Sequence, residues 1–186
     1  MICPRHVTSL IACSCQIVLT SRSHCLALTP RQYKEYKTTG KVITREDHRH
    51  IAIIGTRRRD AEADYQKTLR AFLKVYRLGD SIVSGGCEKG GDHFAEKIAL
   101  EKNIPIKIHR PDKSKLDKKL FKTNPRAAWT VINHARNELI AADADVVIAC
   151  VAPDRKGGTE DTLKKFAKKL GKTESQLVKD GLLRLA

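Results

Sequence analysis

Aromatic residues make up only 5% of this 186-residue chain, with a single tryptophan and a single methionine. Surfaces that stack the bases of single-stranded nucleic acid are built from aromatic side chains, so the composition offers few of them. No run of about 18 apolar residues occurs, so no membrane-spanning helix is expected. The six cysteines, Cys3, Cys13, Cys15, Cys25, Cys87 and Cys150, contain no CxxC pair. The Cys13–Cys15 spacing fits no common zinc pattern, and His48 and His50 have no further ligand at suitable spacing. Neither a metal nor an organic cofactor is therefore expected. A disulfide framework is not expected either, which points to a reducing, cytoplasmic setting. Cys150 closes an apolar run and reads as a buried thiol.

Acidic residues are missing altogether before Glu35. Residues 1–48 are instead rich in Arg, Ser, Thr, His and Cys, with a short apolar patch at 10–19 broken by Ser14 and Gln16. This composition predicts a leader outside the fold, without structure of its own or serving organellar targeting, with a folded extension as a further alternative. The folded domain is expected over 49–186. Charge is unbalanced along the whole chain: 36 Lys and Arg stand against 21 Asp and Glu, a formal net charge of +15. Such a balance favours polyanionic partners, although lysine-rich surfaces also serve solubility.

From residue 50 onward the pattern is regular. HIAIIG (50–55) reads as a buried strand ending in glycine. Residues 61–78 have helical periodicity, with Leu69, Phe72, Leu73 and Tyr76 on one side. DSIVSGG (80–86) reads as a second strand, followed by a helix with Asp92 at its N-cap. PIKIHR (105–110) gives a third strand, and a lysine-rich loop covers 111–126. A helix over 127–142, a strand within 143–152 and a helix over 160–169 follow. The last stretch, 173–186, suits either a helix or a short edge strand. Alternating strands and helices predict an α/β, Rossmann-like three-layer sandwich, its mostly parallel sheet flanked by helices.

Ligands of such sheets sit beyond the carboxyl ends of the strands. Three strand ends carry distinctive loops there: Gly55-Thr56-Arg57, Ser84-Gly85-Gly86, and the segment leading to Gly157-Gly158-Thr159. Helices that open just after glycine loops direct free N–H groups and partial positive charge at an anion. The expected ligand bears phosphate. The loop is no Walker P-loop: Gly86 and Gly91 have the spacing, but Asp92 occupies the lysine position. No GxGxxG is present.

In order, GTRR, VSGGCEKGGDHFAE, ARNELIAADADVVIA and GGTEDTLKKFAKKLGK resemble the SLOG superfamily, and most closely its small YspA-like branch. That group also holds the LOG phosphoribohydrolases, molybdenum-cofactor carrier proteins and the DNA-processing protein of natural transformation. The resemblance runs from His50 to Lys172. It implies a nucleotide-binding module, with Gly55, Thr56 and Arg57 in a first phosphate-facing loop. It places Ser84, Gly85, Gly86, Gly90 and Asp92 in a second, and Arg136, Asn137, Gly157, Gly158 and Thr159 at the same pocket. It also implies a homodimer.

The LOG pattern PGGxGTxxE departs here, because Thr162 stands where the glutamate that acts in N-glycosidic cleavage would be. A phosphoribohydrolase acting on nucleoside monophosphates remains an alternative, with Asp92, Glu138, Glu160 and Asp161 as candidate carboxylates and no catalytic residue assigned. A third alternative is single-stranded nucleic-acid binding through the lysine-rich segment 113–122, flanked by Phe121 and Trp129.

Overall fold

The structure is a computed structural model that describes residues 48–186 and the strands Gln16–Leu19 and Cys25–Leu28. The chain divides into two compact units, Met1–His48 and Arg49–Ala186. In the first, β1 (Gln16–Leu19) pairs antiparallel with β2 (Cys25–Leu28). The remainder of the predicted leader lies outside the described residues.

The second unit is a five-stranded parallel sheet: β3 (His50–Gly55), β4 (Ser81–Ser84), β5 (Ile106–Ile108), β6 (Val146–Cys150) and β7 (Leu183–Leu185). The spatial order is β5-β4-β3-β6-β7. From β3 the chain winds outward through β4 to β5, then returns to lay β6 on the other flank of β3. The direction of winding reverses between β3 and β6, and this is where an open parallel sheet leaves a crevice at its carboxyl edge.

The central strands β3, β4 and β6 are buried on both sides, as parallel strands are, while the edge strands β5 and β7 are partly exposed. Alternation of side chains along the pleat splits them between two cores. Ile51, Ile53, Ile82, Val146 and Ile148 pack with Tyr65 and Phe72 of α1 (Glu62–Val75) and with Phe94 and Ile98 of α2 (Gly91–Lys102). Ala52, Ile54, Val83, Val147 and Ala149 pack with Ile140 and Ala141 of α4 (Pro125–Asp143) and with Leu163 and Phe166 of α5 (Gly158–Leu170). The three-layer α/β sandwich expected from the sequence is therefore present. At the opposite, amino edge, buried Asp80 accepts hydrogen bonds from the Arg49 backbone N–H, Arg49 Nη2 at 2.6 Å and the Arg77 N–H at 2.8 Å.

Two segments differ from expectation. The lysine-rich stretch is not a plain loop. It holds a 3₁₀ turn (Lys113–Lys115) and the short helix α3 (Lys118–Thr123). The reason is capping: Asp117 Oδ1 accepts from the N–H groups of Lys119 and Leu120 at 2.8 and 3.0 Å. Asn124 caps the next helix, with Pro125 at its first position. The final stretch is both of the alternatives in turn. A capping box between Thr173 and Gln176 starts α6 (Glu174–Lys179), and β7 then pairs parallel to β6. Among the described residues no helix is long and apolar enough to cross a membrane.

Candidate functional site

At the switch point the Thr56 N–H donates to the Cys150 carbonyl at 3.0 Å, holding the ends of β3 and β6 together. Helix α2 starts directly above the end of β3. A Cβ on Gly55 would lie 2.8 Å from the Gly91 nitrogen, and one on Gly91 would run into the Ile54 backbone. The glycines here allow backbone to meet backbone; they do not leave room for a ligand.

The loop before α2 is likewise satisfied from within. Asp92 is not the N-cap; Gly90 is, with φ at 75°. One residue into the helix, Asp92 turns its carboxylate back into the loop. Its Oδ2 accepts from the Cys87 N–H at 3.3 Å and faces Arg136 Nη1 at 3.4 Å. Arg136 Nη1 also donates to the Gly85 carbonyl at 2.6 Å. The donors that would receive a phosphate thus converge on a carboxylate of the chain itself. Burial, which leaves Asp92 only 6% exposed, pushes its carboxyl up to about 6. Arg136 and the N–H groups of Cys87 and Gly85 pull the other way, but a 3.4 Å contact is too long to overcome desolvation. Ser84, fully buried, donates to the Asp92 carbonyl and accepts from the Gly86 N–H. The Gly90 N–H donates to Asp60 at 2.7 Å.

The third loop is different. Gly157, with φ at 102°, caps α5, and a Cβ there would meet nothing within 4 Å. The Asp161 N–H bonds back to the Gly157 carbonyl at 3.2 Å. The N–H groups of Gly158, Thr159 and Glu160 precede that bond and have no intrahelical acceptor. Thr159 is only 8% exposed, and its hydroxyl has no partner among the described residues although it is not sealed from solvent. Beside it, Asn137 is buried and donates through Nδ2 to the Gly158 carbonyl at 3.2 Å and to Asp161 Oδ2 at 2.9 Å. Asp161 is partly buried, which would raise its pKa, but bonds from Lys165 and Asn137 outweigh this and hold it below the ordinary range. Thr162 Oγ1 donates to the Gly158 carbonyl at 3.0 Å, so the position of the LOG glutamate here serves the first turn of the helix.

These elements wall a crevice of about 690 Å³. Gly55, Thr56, Arg57, Asp92, Arg136, Asn137, Gly157, Gly158 and Thr159 all border it. Gly85 and Gly86 border a second depression of about 380 Å³. Ser84 and Gly90 line neither and act as supports beneath the loop. Of the candidate carboxylates, Asp92, Glu160 and Asp161 reach the crevice and Glu138 does not.

Several wall residues were not singled out from the sequence: Cys87, Asn133, His134, Arg155, Lys156 and Lys164. Asn133 and His134 lie one turn before Arg136 and Asn137 on α4, so helical spacing from the R-N pair was the available signal. Lys164 is likewise one turn beyond Glu160. Arg155 carried no such signal; it takes a left-handed conformation, φ 51°, and pairs with Glu160 and Glu174. Lys156 and Lys164 form no ion pair among the described residues, where three metal-ligating side chains do not come together anywhere.

No protein-family model matches the chain, and no curated protein matches it. A solved structure of DNA processing protein A from Helicobacter pylori, described for its single-stranded DNA binding mode, is similar with a TM-score of 0.47 and 22% identity. The match covers 73% of this chain and 74% of that one.

Proposed function

We propose that this protein binds a nucleotide or nucleotide-derived phosphate at the carboxyl edge of its sheet, as a sensor or carrier module. The observation that carries the reading is Thr159: nine-tenths buried, its hydroxyl without a partner among the described residues, at a helix start whose first three N–H groups lack intrahelical acceptors. A phosphate satisfies all of these donors at once, and the helix dipole favours its charge. Arg57, Lys156 and Lys164 supply cations around the same crevice. This assigns the phosphate to the 157–160 loop and gives the 84–92 loop a supporting part, since Asp92 already fills it.

Cleavage is not part of the proposal, because Thr162 replaces the glutamate and Asp161 is engaged by Asn137 and Lys165. The test is equilibrium binding of AMP, ADP and ADP-ribose to the full chain, beside the same titrations on Thr159→Val and Lys164→Glu. Saturable binding weakened by both substitutions supports the reading; no binding of any of the three sinks it. Chromatography of the mixtures reports whether the ligand survives.

A second reading is favoured by one feature. Phe121 and Trp129, 38% and 37% exposed, stand on α3 and α4 among Lys118, Lys119, Lys122 and Arg126. Exposed rings among cations suit single-stranded nucleic acid. On this reading affinity for an oligonucleotide falls steeply with salt and drops in Trp129→Ala.

A further inference from the structure

The start of α5 presents donors, which suit phosphate oxygens. The wall beside it presents acceptors, which do not. Asn137 borders the crevice and is only 2% exposed. Its Nδ2 donates to the Gly158 carbonyl at 3.2 Å and to Asp161 Oδ2 at 2.9 Å. Both partners are acceptors, so the amide has one possible orientation and Oδ1 points away from them. That oxygen receives no hydrogen bond among the described residues, yet it is not sealed from solvent. A side chain this deeply buried seldom leaves an acceptor idle.

Asp161 repeats the pattern on the neighbouring helix. Its Oδ2 takes both the Asn137 amide and, at 2.7 Å, Lys165 Nζ. Its Oδ1 faces only His134 Nδ1 at 3.8 Å, which is beyond hydrogen-bonding distance. The carboxylate is partly exposed on the same crevice, and Lys165 balances its charge. Two free acceptors therefore stand next to a phosphate-receiving helix start, joined to it by Asn137. They call for ligand groups that donate, and hydroxyls bonded to the phosphate's own carbon skeleton supply them.

A nucleobase finds much less. Among the described residues no Phe, Tyr or Trp borders the crevice, and His134, half exposed, is the one ring there. Its apolar isoleucines, Ile54 and Ile140, are buried at 3% and 1% exposure and offer little surface. Base stacking needs a ring platform.

We infer that the site recognises a phosphorylated sugar and is indifferent to the base: phosphate on Gly158–Glu160 and Thr159, sugar hydroxyls donating to Asn137 Oδ1 and Asp161 Oδ1. This deepens the reading above and rests on it. It names the ligand class as a sugar phosphate, free or as the sugar-phosphate half of a nucleotide.

Calorimetric titration of the full chain compares ribose 5-phosphate with methyl phosphate, which has no hydroxyl on its carbon, and with AMP, GMP, CMP and UMP. Ribose 5-phosphate should bind at least about tenfold more tightly than methyl phosphate, the effect of a hydrogen bond to a charged group. The nucleotides should agree with one another within about threefold, because no stacking contribution separates them. In Asp161→Asn one oxygen still serves Asn137 and Lys165, while an amide nitrogen takes the place of Oδ1. Methyl phosphate should still bind this variant, and the preference for ribose 5-phosphate should drop below about threefold. Equal binding of ribose 5-phosphate and methyl phosphate overturns the inference and leaves the phosphate site standing. A preference of more than about tenfold for one base, or nucleotide binding without ribose 5-phosphate binding, overturns it in favour of base recognition. An unchanged preference in Asp161→Asn also overturns it. No binding of any of these phosphates sinks the phosphate reading itself.

Discussion

Arg136 Nη1 lies 3.4 Å from Asp92 Oδ2 and 2.6 Å from the Gly85 carbonyl, so one side chain from α4 closes the glycine loop that precedes α2. This contact crosses the sheet's carboxyl edge and joins the helices of its two faces. The loop's shape consequently depends on a residue 51 positions away from Gly85.

That closure makes Gly85 intolerant of a side chain. A Cβ would collide with Arg136 Nη1 and crowd Asp92. Gly85→Ala is expected to lose about 2 kcal/mol or more of stability, as overpacking of a closed site does. Gly157→Ala has open space instead, and its cost is backbone strain, about 1–3 kcal/mol, because φ 102° with ψ −163° is a region essentially confined to glycine. Urea unfolding measures the Gly85→Ala loss; a value under about 0.5 kcal/mol would contradict the closed loop.

Asp92 should leave a signature in the pH dependence of stability. Its carboxyl is raised from 3.8 to about 6 in the folded chain, with burial as the main cause. The folded state then holds a proton that the unfolded state has released. The contribution is fully present below about pH 4 and is lost as pH rises through about 6, on the order of 3 kcal/mol. Asp92→Asn cannot titrate. The stability of the natural chain minus that of the variant should therefore fall between about pH 4 and about pH 8 in urea unfolding. A constant difference would show that the carboxyl is not desolvated.

Thr159→Val tests the open helix start. The replacement keeps the shape and deletes a hydroxyl that has no partner among the described residues, so stability should change by less than about 0.5 kcal/mol. Affinity for a phosphate ligand should fall by about tenfold, one hydrogen bond to a charged group. Calorimetric titration beside thermal unfolding separates the two. Loss of stability without loss of affinity would make Thr159 a structural residue.

At the other edge of the sheet, Asp80→Ala is expected to lose about 3–5 kcal/mol without touching ligand affinity. The substitution leaves Arg49 and the Arg77 N–H without their buried acceptor. Urea unfolding measures the first and calorimetry the second. A loss under about 1 kcal/mol would show that Arg49 rehydrates freely.

Much of this could be read from the sequence. The apolar run HIAIIG and the run within 143–152 had to be buried strands, because residues apolar on both faces of a pleat need cover on both. Helical periodicity then supplied the cover, and alternation of the two gave the parallel sandwich. Gly55, Arg57 and the Gly157–Thr159 loop could be assigned to one edge because strand ends in such a sheet share a side; Arg136, in the middle of a helix, could be placed there only through the resemblance. What the sequence left open was which glycines face space. Gly55 and Gly91 look like ligand-binding residues in a motif and are contact points between backbones in the fold. Asp92 reads as a cap and is instead the anion that fills its own loop, through a partner 44 residues away. Whether a donor is free depends on what tertiary packing brings against it. Local pattern determined the elements and their order. Only the three-dimensional arrangement decided that the loop at 84–92 is closed and the one at 157–160 is open.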